Sequence, residues 1–193
     1  PFTVKSITTL ISSDVNVVYA NTKNIIVTLK DDKGNCVEGE KITVKLNGKP
    51  YTGTTNSNGQ ISVAVPNNLK PGTYAASIAF DGDSNYVKSA SSVKVAVSKA
   101  TPKITASKKT FKVNVTAATT TITLKTNMNK VMKNKKVTLK VNGKTYKATT
   151  NSKGKATFKI TKLTKKGKFT AVVKFAGSKY YNAKAVKAKI TVK

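Results

Sequence analysis

The feature that most constrains the fold of this 193-residue chain is an internal duplication. When the sequence is shifted by 95 residues, segment 45–59 aligns with segment 140–154, and ten of the fifteen positions are identical. A repeat of this length is a whole domain, because solenoid repeats have only about 20–50 residues. We therefore predict two tandem domains, residues 1–99 and 100–193. The boundary is expected near Ser98–Pro102, because the residue before proline in Thr101-Pro102 favours an extended link.

Hydrophobic and polar residues alternate within each repeat. In segment 136–141, valine and leucine alternate with lysine and threonine, and segments 155–160, 168–175 and 187–193 repeat this pattern. Such alternation predicts strands with one buried face and one face in water. No segment has a convincing helical period.

Glycine-containing turns separate the alternating segments. Asn47-Gly48 and Asn142-Gly143 are typical of type I′ hairpin turns, in which both central residues need a positive φ. Asn58-Gly59 and Pro71-Gly72 mark two further connections. The spacing predicts about seven short strands per repeat. The expected fold class is all-β, with two tandem immunoglobulin-like β-sandwich domains.

Positive charge is concentrated in the second repeat. The net charge of +29 comes from 36 basic residues, all of them lysine, and seven acidic residues. Residues 1–99 contain 11 lysines and every acidic residue, whereas residues 100–193 contain 25 lysines and no acidic residue. Their formal charges are therefore +4 and +25. Self-repulsion in so basic a domain is relieved by bound anions.

The added lysines replace neutral or acidic residues of the first repeat, in turns or on the outward phase of strands. We predict that they form an electrostatic binding surface. Its residues are Lys133, Lys135, Lys147, Lys153, Lys155, Lys159, Lys168 and Lys174. The alternative is that lysine serves solubility and reflects a coding bias for lysine over arginine.

Residue types needed for common catalytic chemistry are scarce. The chain has no histidine and one cysteine, and its second repeat has no carboxylate. Acid–base pairs, activated nucleophiles and the usual zinc or haem ligand sets therefore lack components. We predict a non-enzymatic protein without a cofactor. Cys36 is interpreted as a packed or turn residue, with a crosslink between chains as the alternative.

Segment 81–85 has oxygen-bearing side chains at alternate positions. Asp81, Asp83 and Asn85 resemble the start of a calcium loop, but the bidentate glutamate of such loops is missing. The favoured interpretation is a turn rich in Asp and Asn, with Gly82 at positive φ. Tyr86 and its counterpart Tyr181 are expected to plug the ends of the sandwiches. Asn114-Val115-Thr116 is a glycosylation sequon if the chain is exported.

Three motifs of the first repeat carry a family resemblance. They are the run NGKxYxxTTNSxG, the segment 71–74 and the segment 80–86. Together they resemble the immunoglobulin-like repeats of prokaryotic surface proteins, especially the adhesin-like proteins of methanogenic archaea. The second repeat keeps Gly177 and Tyr181 but replaces the acidic residues. The resemblance implies an extracellular, cell-surface, repetitive and non-enzymatic protein.

Related surface domains sometimes carry a self-formed Lys–Asn isopeptide crosslink. That reaction needs an acidic helper beside a buried amine, and Asp14, Glu38 or Glu40 could serve in the first repeat. The second repeat has no acidic residue, so the crosslink is not favoured.

The expected partner is an anionic cell-wall polymer or glycan held by the second repeat, with the first repeat as a spacer. The chain starts at Pro1 rather than Met, so we expect a mature or excised segment, and it has no apolar run near the ~20 residues of a membrane span. We interpret it as a C-terminal or penultimate portion of a larger surface protein. The alternative function is non-specific nucleic-acid binding. Sequence-specific binding is not expected, because arginine and a reading helix are missing.

Overall fold

The computed structural model describes residues 4–113, 118–161 and 163–193. The chain divides into two compact units, Pro1–Ser98 and Lys99–Lys193. Lys99 thus belongs to the second unit, one residue earlier than expected. Its carbonyl oxygen accepts a hydrogen bond from the side-chain amide of Asn182 at 3.2 Å. The described residues contain strands and no helix, and hence no helix that could cross a membrane.

The first unit contains a three-stranded and a five-stranded sheet. Their orders are β1-β3-β6 and β2-β8-β7-β4-β5. The strands are β1 Thr8–Ser12, β2 Val15–Val18, β3 Asn24–Asp31, β4 Lys41–Leu46, β5 Lys49–Thr54, β6 Gln60–Ala64, β7 Gly72–Phe80 and β8 Ser89–Ser98.

The second unit has the same arrangement. Its sheets have the orders β14-β11-β9 and β10-β16-β15-β12-β13. The strands are β9 Lys103–Ala106, β10 Lys109–Phe111, β11 Ala118–Lys125, β12 Lys136–Val141, β13 Lys144–Thr149, β14 Lys155–Ile160, β15 Gly167–Phe175 and β16 Lys184–Val192. The predicted all-β, tandem immunoglobulin-like fold is confirmed.

Each unit has eight strands in its described residues rather than about seven, because the first strand is divided between the two sheets. In the first unit, β1 pairs antiparallel with β3, whereas β2 pairs parallel with β8. The crossover at Asp14 is held by the Asp14 carboxylate, which accepts a hydrogen bond from the Lys94 amide at 2.8 Å. Periodicity does not show such a division, since both halves alternate alike.

The repeat offset changes between the second and third strands of each unit. From β3 onward the two units correspond with the 95-residue shift, but Ile104 pairs with Leu124 where Leu10 pairs with Leu29. Ile104 therefore takes the place of Leu10, an offset of 94 residues. The second unit has one extra residue between β10 and β11.

The core of each unit lies between its two sheets and contains the predicted inward residues. In the second unit, Val137, Leu139 and Val141 are buried with Phe158 and Ile160. Tyr181, like Tyr86 in the first unit, is half-buried and packs against the core. The alternation predicted from the sequence is confirmed. The outward-facing positions lie outside the core, and their residue types differ between the two units.

The hairpin turns have the predicted geometry. Asn142 and Gly143 have φ of 48° and 73°, and Asn47 and Gly48 have φ of 50° and 79°. Both central residues are thus positive, as a type I′ turn requires. These turns place β5 and β13 at the edges of the five-stranded sheets.

Candidate functional site: two lysine faces on the second unit

The outer surface of the sheet β14-β11-β9 contains only lysine and threonine at its outward strand positions. We call it the three-strand face. It consists of Lys103, Thr105, Thr119, Thr121, Thr123, Lys125, Lys155, Thr157 and Lys159. Its lysines are all exposed, and the Thr121 and Thr157 hydroxyl oxygens are 3.0 Å apart. This face is therefore a flat array of ammonium and hydroxyl groups.

The outer surface of the sheet β10-β16-β15-β12-β13 is also basic. We call it the five-strand face, and its lysines are Lys136, Lys140, Lys147, Lys168, Lys174, Lys187 and Lys189. All seven are exposed. Thr138 lies between Lys147 and Lys174 on neighbouring strands, so hydroxyl groups again separate ammonium groups.

The structure does not bring the eight predicted lysines together in one patch. Lys155 and Lys159 lie on the three-strand face, whereas Lys147, Lys168 and Lys174 lie on the five-strand face. The other three lie in connections between strands: Lys133 and Lys135 precede β12, and Lys153 precedes β14. Only Lys135 of the eight is half-buried; the others are exposed.

Sequence comparison missed six lysines of the two faces. Lys136, Lys140 and Lys189 escaped notice because the first unit has lysine at the same positions. The 95-residue shift aligns Lys103 with Thr8, whereas strand pairing makes Thr9 its counterpart. All six, including Lys125 and Lys187, lie at outward-facing positions of alternating strands, and this position could have identified them from the sequence.

The same faces of the first unit are mostly neutral. Thr9, Gln60 and Ala64 stand where the three-strand face has Lys103, Lys155 and Lys159. Thr52, Thr73, Ala79 and Ser92 stand where the five-strand face has Lys147, Lys168, Lys174 and Lys187. The first unit thus shows that the scaffold accepts neutral residues at each of these positions.

Positive charges on the second unit have no acidic side chain within that unit to offset them. Lys103 and Lys125 are direct cross-strand partners, an arrangement in which like charges destabilise a sheet. The Lys103 ammonium donates a hydrogen bond to the Asn129 side-chain oxygen at 2.9 Å. In the first unit, by contrast, Lys94 pairs with Asp14 at 3.3 Å.

The segment 81–85 forms the predicted turn. Asp83 Oδ1 accepts hydrogen bonds from the amides of Asn85 and Tyr86, both at 2.7 Å, and Gly82 has φ of 77°. In the second unit, Ser178 Oγ takes over this role, at 3.2 Å from the amides of Tyr180 and Tyr181. The oxygen of Asp83 thus has a structural use in the turn.

Glu40 lies beside this turn and shares a hydrogen bond with Asp83. Burial raises the pKa of Glu40, and the adjacent Asp83 carboxylate raises it further. For Asp83, burial acts to raise the pKa, but hydrogen bonds from Asn85, Tyr86 and Glu40 outweigh it and lower the pKa. Among the described residues, no three acidic, cysteine or histidine side chains are grouped to hold a metal ion.

Two other candidates have no support in the described residues. No described lysine is buried, so the amine that an isopeptide bond requires is not found there, and Asp14 instead pairs with Lys94. Cys36 is exposed and is a free thiol rather than a packed one. The sequon 114–116 lies outside the described residues.

No protein-family model matches the chain, and no curated protein matches its sequence. Among solved structures, the chain is similar to invasin, a bacterial integrin-binding protein, with a TM-score of 0.51 and 16% identity over 98% of this chain and 40% of that one. It is also similar to the titin domains Z1Z2 solved with telethonin, with a TM-score of 0.51 and 12% identity over 100% and 98%.

A bacterial ice-binding adhesin has 17% identity over 98% of this chain and 66% of its own, with a TM-score of 0.41. The chain thus spans less than two thirds of that adhesin and of invasin. At these identities, the likeness to invasin and titin shows the tandem immunoglobulin-like fold.

Proposed function

We propose that this chain is a non-enzymatic adhesive module of an extracellular, cell-surface protein, and that its second unit holds an anionic wall polymer or glycan. One observation carries the proposal: the second unit has lysine on the exposed positions of both sheets and has no acidic residue. The motifs quoted above, which resemble adhesin-like repeats of methanogenic archaea, favour a prokaryotic surface protein.

The distribution of substitutions supports a role in binding. Neutral residues of the first unit are replaced by lysine on the outward phase, while the buried phase stays apolar. Solubility would be served by acidic residues as well, and more effectively. Lysine is a compact point charge, which suits dispersed carboxylate or phosphate groups better than bidentate recognition.

The faces are less suited to nucleic acid. The chain has no arginine for bidentate contacts to guanine. The aromatic residues Phe111, Tyr146 and Phe169 are partly buried against the core rather than displayed for base stacking. Duplex DNA should therefore bind without sequence preference and with a steep loss of affinity as salt rises.

The experiment uses the full chain and cell walls, either with their anionic polymer intact or after its extraction. In a six-lysine variant of the second unit, each lysine takes the residue of the first unit: K147T, K168T, K174A, K187S, K155Q and K159A. Each lysine near an anionic surface contributes about 1 kcal/mol, so we expect retention on intact walls to fall more than about tenfold.

The matched control removes six exposed lysines of the first unit, namely K23Q, K33Q, K41Q, K45Q, K49Q and K70Q, and should keep retention near the wild-type level. Wild-type retention should also disappear at high salt and on extracted walls. Equal loss in the two variants, or retention on extracted walls, would contradict the proposal.

A further inference from the structure

The lysine faces point away from each other, on opposite sides of one hydrophobic core. Ile122 of the three-stranded sheet and Leu139 of the five-stranded sheet belong to the same buried cluster. Sheets packed in this way are about 10 Å apart, and the lysine side chains extend outward from both. The ammonium layers are therefore more than about 10 Å apart and face solvent on opposite sides of the unit.

An anionic chain lying on one face leaves the other face uncompensated. It neutralises the ammonium groups that it contacts, but it cannot contact those on the opposite face, which lie on the far side of the hydrophobic core. The second unit contains no carboxylate that could neutralise them from within. Each face thus retains its own attraction for a polyanion.

Both faces also have the internal repulsion that an anion would relieve. On the three-strand face, Lys103 and Lys125 are direct cross-strand partners. On the five-strand face, Lys140 and Lys187 lie on either side of Val172. An anionic group between such lysines replaces repulsion with two attractions.

Hydroxyl groups on both faces favour a sugar polymer. Threonine occupies several of the outward positions between the lysines on both faces, for example Thr123 beside Lys155 and Thr138 beside Lys147. A hydroxyl both donates and accepts hydrogen bonds, as sugar hydroxyls do. An extended polysaccharide with carboxylates thus complements the faces in charge and hydrogen bonding.

We infer that the second unit is bivalent: each of its two faces binds a separate chain of a carboxylate-bearing polysaccharide, so that the unit crosslinks the polymer. This inference rests on the proposed function and adds to it the number of sites, their positions and the polymer class. Adhesion by this module then includes crosslinking of the chains of the wall polymer.

The test compares three full-length variants that each lose three lysines. The three-strand variant is K103T/K155Q/K159A and the five-strand variant is K147T/K174A/K187S, in which every substituted residue comes from the equivalent position of the first unit. The control, K130N/K165Q/K179S, removes three exposed lysines that lie in connections between strands and outside both the predicted binding surface and the two faces. Far-ultraviolet circular dichroism checks that each variant is folded.

The first measurement is stoichiometry with an oligogalacturonate too short to pass from one face to the other. Calorimetric titration should give about two oligomers per wild-type chain and per control chain, and about one per chain for each face variant. The second measurement is light scattering with long polygalacturonate, where we expect crosslinking to fall at least about tenfold in both face variants but not in the control.

Other outcomes separate this inference from the proposed function. One oligomer per wild-type chain, or equal losses in all three variants, would overturn bivalency even if wall binding persists. If the wild type binds neither walls nor polygalacturonate, the proposed function itself is refuted. Preferential displacement of oligogalacturonate by duplex DNA, at equal charge and salt, would overturn the polysaccharide assignment.

Discussion

Gly154 shows how a single residue is restricted by backbone packing. Its φ is 70°, and its carbonyl oxygen accepts a hydrogen bond from the Leu124 amide at 2.8 Å. A Cβ atom at this position would lie 2.8 Å from the Leu124 carbonyl oxygen. Gly143 has nearly the same φ, 73°, but no atom lies within 4 Å of its Cβ position.

The two glycines therefore separate steric overlap from backbone strain. G143A should destabilise the second unit by about 1 kcal/mol, from the positive φ alone. G154A should cost about 2–4 kcal/mol, because overlap with backbone is added. Chemical denaturation of the full chain measures both, and equal losses would show that the contact with Leu124 is readily relieved.

Thr150 is a buried polar residue that joins two connections of the second unit. Its side chain is almost fully buried, and its hydroxyl donates to the Met132 carbonyl oxygen at 2.6 Å and accepts from the Lys135 amide at 2.9 Å. T150V keeps the shape but loses both bonds, at a cost of about 2 kcal/mol. T150S retains the hydroxyl and should lose clearly less stability. If thermal melting shows a similar loss of stability for both variants, packing of the side chain dominates.

At the scale of elements, both units divide their first strand between two sheets, but they hold the crossover with different residues. In the first unit, Asp14 holds the crossover from β1 to β2 through the Lys94 amide. Lys108 occupies the equivalent position before β10, so the second unit cannot form this carboxylate contact. The same topology is thus reached with and without an acidic cap.

Substitution of Asp14 tests what this cap contributes. The hydrogen bond from the Lys94 amide, and then the Lys94 side chain, lower the pKa of Asp14, so the charged form stabilises the folded state. D14A should lower the melting temperature of the first unit more than D14N, which keeps an acceptor oxygen. The difference between wild type and D14A should shrink as pH falls through the pKa of the folded carboxyl; a difference independent of pH would assign it to the side-chain shape.

At the scale of the whole molecule, acid should destabilise the first unit and leave the second nearly unaffected. Carboxyls of the first unit with lowered pKa, such as Asp14 and Asp31, contribute stability above their unfolded pKa of about 3.9 and lose it as pH falls through the lower folded value. The raised pKa of Glu40 makes a contribution to stability of the opposite sign, which does not diminish as pH falls. The second unit contains no acidic residue, histidine or cysteine.

Calorimetry of the full chain at constant ionic strength should therefore show one transition that moves to lower temperature below about pH 4 and one that stays nearly constant from about pH 8 to 2. G154A identifies the transition of the second unit, because it lowers only that one. If both transitions shift together in acid, the two units do not unfold independently.

The sequence determined the fold class, the duplication and the inward residues. Alternation with period two is a local property, so it survives in residues such as Val137 and Leu139 whatever strands they pair with. Asn142-Gly143 likewise dictates its own turn through the φ values that those residues tolerate. The absence of acidic residues after position 99 also follows from the sequence alone, and it sets the sign of the charge on every surface of the second unit.

Only the tertiary structure decided how the lysines are distributed. Lys147 and Lys155 are close in sequence and both point outward, yet they lie on opposite faces, because the sheet that a strand joins depends on pairing with distant strands. The crossover at Asp14 and the changed offset at Ile104 have the same origin. Whether a strand side chain faces solvent is thus encoded locally. The grouping of charges into two separate faces results from long-range hydrogen bonding and core packing.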